Sequence, residues 1–235
     1  MEKHTKKNPR ERSRNKSNKK GKTKGIKNIK PYHSPIANSF FDSKPIFSYA
    51  YNSYEGKVRS YNEDRICISV NHKIENSEYT FHFFSIYDGH GGSKCADFLK
   101  TNFLPYLTKN KYFPKKISKA LRQTYIQMEK LFYQQNKPLN LIDEYEHSGS
   151  CALIILLYKS ICYCANVGDS RALYSESNSK IVKQLNIEHK PENRKEKERI
   201  EQAGGKVYKN TTSALAFKMP WRIDPGKLSV IIFYK

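Results

Sequence analysis

The chain has 235 residues, with 43 Lys and Arg against 22 Asp and Glu, for a formal net charge of +21. That length can bury a core without disulfides or a structural metal, and the longest apolar stretch, Cys151 to Tyr158, is strand-sized, which excludes a transmembrane helix. No apolar signal-like segment stands near Met1, so an intracellular, soluble protein is expected, cytoplasmic and/or nuclear.

The charge is uneven. Residues 1–30 hold 13 Lys and Arg and 2 acids, a net +11, while residues 31–235 carry 30 basic and 20 acidic residues. Lacking aromatic residues, the first segment cannot bury enough surface to fold, so residues 1–44 are expected to form a disordered basic tail and residues 45–235 the folded domain. Such a tail suits an anionic partner (nucleic acid, an import receptor or an acidic membrane surface) or stays solvated with no partner. The missing aromatics argue against stacking on single strands.

The aromatic segment Phe47 to Tyr51 opens the domain as a strand. Ile66, Ile68 and Val70 alternate over Arg65 to Val70, the period of a half-buried strand, and Asn71 to Glu78 reads as a polar connection to a second, deeper strand, Tyr79 to Tyr87. Ala96, Leu99, Phe103 and Leu104 predict a helix from Ser93 to Leu107 with Ser93 as N-cap. Ile117, Leu121, Tyr125, Met128 and Phe132 predict a longer amphipathic helix. After the loop Asn136 to His147 comes the apolar strand Cys151 to Tyr158. Ile161 to Val167 and Arg171 to Tyr174 are then expected to meet as strands at a tight turn over Gly168-Asp169. Pro191 to Ala203 reads as a helix stopped by Gly204-Gly205. This order implies an α+β or layered sandwich rather than an alternating doubly wound sheet. Cys67, Cys95, Cys151, Cys162 and Cys164 are expected to be reduced core residues, since Cys162-Tyr163-Cys164 lacks the second pair a zinc site needs.

The candidate chemistry centres on Tyr87-Asp88-Gly89-His90-Gly91-Gly92. An apolar strand delivers Asp88 to a sheet end, and Gly89 lets a backbone carbonyl approach a cation. Upstream stands Arg59-Ser60-Tyr61-Asn62-Glu63-Asp64-Arg65. Adjacent carboxylates on an extended chain point to opposite faces, so only one of Glu63 and Asp64 can face the cluster of Asp88 directly, and Glu63 is favoured as the ligand. Asp64 then pairs with an arginine or supports the ligands from behind.

Together with Ser148-Gly149-Ser150, Ala165 to Ala172, His189-Lys190-Pro191, Arg199-Ile200 and Ala203-Gly204-Gly205, these stretches resemble the metal-dependent serine/threonine protein phosphatases of type 2C, in the family's order. The resemblance implies a four-layer α-β-β-α sandwich, two antiparallel sheets flanked by helix pairs, with two Mg²⁺ or Mn²⁺ ions at one end. It also implies phosphoserine and phosphothreonine proteins as substrates, and a monomer. Asp88 matches the bridging carboxylate, Gly89 a carbonyl ligand and Glu63 the ligand from the first strand. Arg59 matches the arginine that grips the phosphate, and His90 the general acid for the leaving oxygen. Asp64 is carried as a candidate near the metals and Asp169 as a ligand for an additional, looser cation.

Pro220 to Val230 resembles the family segment that leads to a Ser-Arg and Gly-Asp motif, but Ile231 to Lys235 does not continue it. The domain is therefore expected to be incomplete at its C-terminus, lacking later family carboxylates, and weakly active or inactive. The alternatives are a catalytically dead phosphatase-like binding protein and a basic-tail nucleic-acid-binding protein on the same fold.

Overall fold

The computed structural model describes residues 38–39, 48–75, 77–136, 146–176, 180–209 and 221–224. Apart from residues 38–39, the segment read as a basic tail lies outside the described residues, as do residues 225–235. In chain order the elements are β1 (Asn38–Ser39), β2 (Ser48–Tyr49), β3 (Arg65–Lys73), β4 (Thr80–Tyr87), β5 (Gly89–His90), α1 (Lys94–Thr108), α2 (Ile117–Gln135) and β6 (Gly149–Ser150). There follow β7 (Ala152–Tyr158), β8 (Ile161–Val167), β9 (Leu173–Ser175), β10 (Val182–Gln184), α3 (Arg194–Gln202), β11 (Lys206–Lys209) and β12 (Trp221–Asp224). Among the described residues, no helix is long and apolar enough to cross a membrane.

The centre is a four-stranded antiparallel sheet in the order β3-β4-β7-β8. Its side chains alternate between two apolar faces. Phe81, Phe83, Tyr87, Ile154 and Leu156 point to one face, where they pack with Leu99, Phe103 and Leu107 of α1 and Leu121, Tyr125 and Met128 of α2. Phe103 stands edge-on to Tyr125 with ring centroids 4.9 Å apart, and the Tyr125 hydroxyl lies 3.0 Å from the carbonyls of both Ala152 and Ala165, tying α2 to β7 and β8. A buried aromatic of this kind contributes roughly 1.5–3 kcal/mol through its apolar surface. Ile66, Ile68, Phe84, Ile86 and Ile155 belong to the opposite face. There Tyr49 of β2 stands edge-on to Phe84 at 5.9 Å, and Ile86 keeps 45% of its surface exposed. Apolar residues on both faces are the pattern of a sheet inside a layered sandwich. Among the described residues the remaining strands pair as two-stranded ribbons, β1-β2, β5-β6, β9-β10 and β11-β12.

Three local differences from the sequence reading have physical causes. β3 runs to Lys73 rather than Val70 because a bulge between Ser69 and His72 carries it past the polar residues, with Asn71 at φ 54° and its N–H donating to the buried His82 at 3.2 Å. β9 pairs with β10, not with β8, because Gly168 redirects the chain and Leu173 to Ser175 find partners in Val182 to Gln184. The third helix starts at Arg194, leaving Pro191 in the preceding turn. The five cysteines are free as expected, but Cys162 is exposed and the others only half-buried.

Candidate metal centre

The sheet's own register assembles the site. Ile86 pairs with Leu153 and Gly89 with Ser150, so Asp88 lies opposite Cys151, whose N–H donates to the Asp88 carbonyl at 2.9 Å. Arg65 pairs with Tyr87, and continuing that register sets Asp64 opposite Asp88. Ala152 pairs with Val167, which sets Gly168 opposite Cys151, with Asp169 next in the chain. One cross-strand row, Asp64-Asp88-Cys151-Gly168, therefore closes the end of the sheet on the side of Ile66, Ile86 and Leu153, away from α1 and α2. Within it the ligand atoms of Asp88, Cys151 and Asp169 all lie within 4.8 Å of one another. Cys151 Sγ donates to Asp169 Oδ1 at 3.3 Å.

Extension of the β3–β4 register sets Asp64 in this row, while Glu63, expected as the ligand, is engaged with the turn after β5. The Glu63 carboxylate accepts the Gly92 N–H at 2.6 Å and pairs with Arg59 Nη1 at 3.4 Å, with the Tyr61 hydroxyl also donating at 3.4 Å. Gly89 has a packing reason for being glycine, since a Cβ there would stand 2.3 Å from the Glu63 carbonyl oxygen. The Arg59 side chain is 70% exposed, open to an incoming anion. His90 is exposed and lies across Gly149, where a Cβ would stand 2.5 Å from its Nε2.

Behind the row, α1 begins without a side-chain cap from Ser93, whose hydroxyl instead donates to Asp97 Oδ2 at 2.8 Å. The cap comes from across the chain: Ser148 Oγ accepts the Cys95 N–H at 3.1 Å, and the Ser148 N–H donates to Glu146 at 2.9 Å. Ser148→Ala is expected to cost about 1 kcal/mol, the usual loss of an N-cap hydroxyl, read as a lower urea midpoint with an unchanged slope. On the other side, Gly168 exchanges hydrogen bonds with His189, its carbonyl accepting at 3.0 Å and its N–H donating to Nδ1 at 3.4 Å. Next to it Glu188 accepts from Arg171 and pairs with Lys190 at 2.6 Å, contacts that hold its carboxyl down to about 2.

A profile of the family Protein phosphatase 2C matches residues 52–217. The chain belongs to the protein phosphatase 2C family. It is 34% identical over 183 residues to a probable protein phosphatase 2C of rice, Oryza sativa subsp. japonica, covering 78% of this chain and 43% of the relative. With a probable protein phosphatase 2C of Paramecium tetraurelia the identity is 37% over 131 residues, 53% of this chain and 43% of the relative. The chain thus spans less than half the length of these two curated relatives. The fold agrees with a solved serine-threonine phosphatase 2C from Toxoplasma gondii, with a TM-score of 0.57 at 21% identity over 76% of this chain and 61% of that one.

Protein phosphatase 2C domains are metal-dependent, and the donor set here fits a cation. Loss of solvent around Asp88 holds its carboxyl above the usual range, and the negative charges of Asp64 and Asp169 push in the same direction, against the pull of His90 and Arg59. A divalent ion among these groups relieves that repulsion. Cys151, expected among the reduced core cysteines, stands with Asp88 and Asp169 in this cluster. Burial pushes its thiol up to about 12. The signal that finds it is register, because a residue one step before β7 must face Asp88 once β4 and β7 are paired.

Proposed function

We propose that this chain hydrolyses phosphoserine and phosphothreonine in proteins with the help of divalent cations held at the end of its central sheet. The observation that carries this reading is the convergence of Asp88, Asp169 and Cys151 ligand atoms beside Asp64, on a family scaffold whose named relatives are protein phosphatases. Asp88 and Asp169 would hold the cations, with Asp64 adding negative charge from the neighbouring strand. Bound Mg²⁺ or Mn²⁺ supplies charge neutralisation for the phosphoryl group and lowers the pKa of the attacking water.

The remaining work falls to the chain's own residues. Arg59, exposed and held loosely by Glu63, presents a guanidinium fork that can take two phosphate oxygens at once. Glu63 fixes the Gly92 turn and thereby the segment carrying His90. His90 donates a proton to the departing serine or threonine oxygen, which leaves poorly as an alkoxide.

The test separates leaving groups. With Mn²⁺ present, His90→Ala is expected to lower kcat on a phosphothreonine peptide by about 10²-fold, the usual contribution of a general acid. On an aryl phosphate, whose phenolate leaves without a proton, kcat should change far less. Equal losses on both substrates would refute the general-acid role, and cation-independent turnover would refute the reading as a whole.

A further inference from the structure

Cys151 occupies a place in this site that the acidic residues do not explain. Two donors on one ion stand no further apart than the sum of two bond lengths, about 4.5 Å for oxygen and sulfur on a Zn²⁺-sized cation. The Sγ of Cys151 stands 3.3 Å from Asp169 Oδ1, and the three ligand atoms of Asp88, Cys151 and Asp169 lie within 4.8 Å of one another, a spacing that a small inward shift closes on one ion. Its position is built rather than incidental. The Cys151 N–H is fixed to the Asp88 carbonyl, and a Cβ on Gly168 would stand 2.3 Å from Sγ, so the sulfur fills the space that glycine leaves. Its hydrogen bond already points at Asp169 Oδ1.

We propose that Cys151 is a soft donor of this cation site, so that Zn²⁺-like thiophilic ions are taken through a sulfur–metal bond and bind more tightly than Mg²⁺. This rests on the cation reading given above. The step balances simply: the Sγ–H bond breaks, the Sγ–metal bond forms, the proton passes toward Asp169 and out to water, and no electron changes hands. Mg²⁺ keeps to oxygen ligands and leaves the thiol protonated, whereas thiolate ligands select Zn²⁺ and its heavier congener Cd²⁺. The same protein therefore holds a hard ion through Asp88 and Asp169 and a soft ion through those carboxylates plus Cys151.

The experiment adds Cd²⁺ to the EDTA-stripped chain and follows the thiolate-to-metal charge-transfer absorption in the ultraviolet. The expected result is a saturable band in the wild type that is lost in both Cys151→Ser and Cys151→Thr and kept in Cys162→Ser. Cd²⁺ affinity should fall about tenfold or more in the Cys151 variants, while Mn²⁺ affinity moves by less than about threefold. Far-ultraviolet circular dichroism checks that each variant is folded, and having two substitutions keeps the result from depending on one. A band that persists in the folded Cys151 variants, or no band in the wild type, overturns the proposal. Absorption is read without turnover, so a Cys151-dependent band from a chain that releases no phosphate would sink the phosphatase reading and leave the sulfur ligand standing.

Discussion

Replacing Asp88 with asparagine is expected to abolish cation-dependent turnover, with kcat falling on the order of a thousandfold, because it removes the carboxylate at the centre of the site. Asp88 stands in the row between Asp64 and Cys151 and within ligand distance of Asp169, so no neighbour can take its place without moving a strand. The substitution is nearly isosteric and relieves a carboxylate that solvent loss and two like charges already disfavour. The fold should therefore survive or gain slightly in stability while Mn²⁺ affinity drops. Titration calorimetry with Mn²⁺ reads this directly, and unchanged affinity in a folded Asp88→Asn variant would remove Asp88 from the site.

Gly168→Ala is expected to be the most damaging change that touches no charge. The residue sits at φ +103°, where an L side chain is strained, and its Cβ would meet Sγ, Cβ and Cα of Cys151 at 2.3, 2.7 and 3.1 Å. A strained backbone and an overpacked contact each cost about 1–3 kcal/mol, so a loss of roughly 2–6 kcal/mol is expected from urea unfolding. The same push would shift Asp169, the next residue, and weaken Mn²⁺ binding along with stability. A variant as stable as the wild type and equally tight for Mn²⁺ would show that the turn does not position the carboxylate.

Much of the central sheet and both long helices were legible because their apolar residues follow periods of two and 3.6 without interruption: Ile161 to Val167 is a strand end to end, and Ile117 to Phe132 all lies within α2. The local departures come from residues whose partners are far away in the chain. Asn71 continues β3 through a bulge only because His82, eleven residues on, accepts its N–H. Ser93 looks like a cap by position, yet the hydroxyl that caps α1 belongs to Ser148. The site shows the same division. Asp88 and the glycines around it announce themselves as a motif, and alternation along an extended chain sets Glu63 and Asp64 on opposite faces. Which of the two joins the row depends on the β3–β4 register, and the arrival of Cys151 beside Asp88 depends on the β4–β7 register; pattern within a single strand carries neither.

Phosphate release from a phosphothreonine peptide, followed as Mn²⁺ is titrated into the EDTA-stripped 235-residue chain, tests the central claim most directly. The account predicts release that rises with Mn²⁺ occupancy, stops on return of excess chelator and is absent in Asp88→Asn. Release that ignores Mn²⁺ and EDTA, or Mn²⁺ bound by the wild-type chain with no release at all, would contradict it.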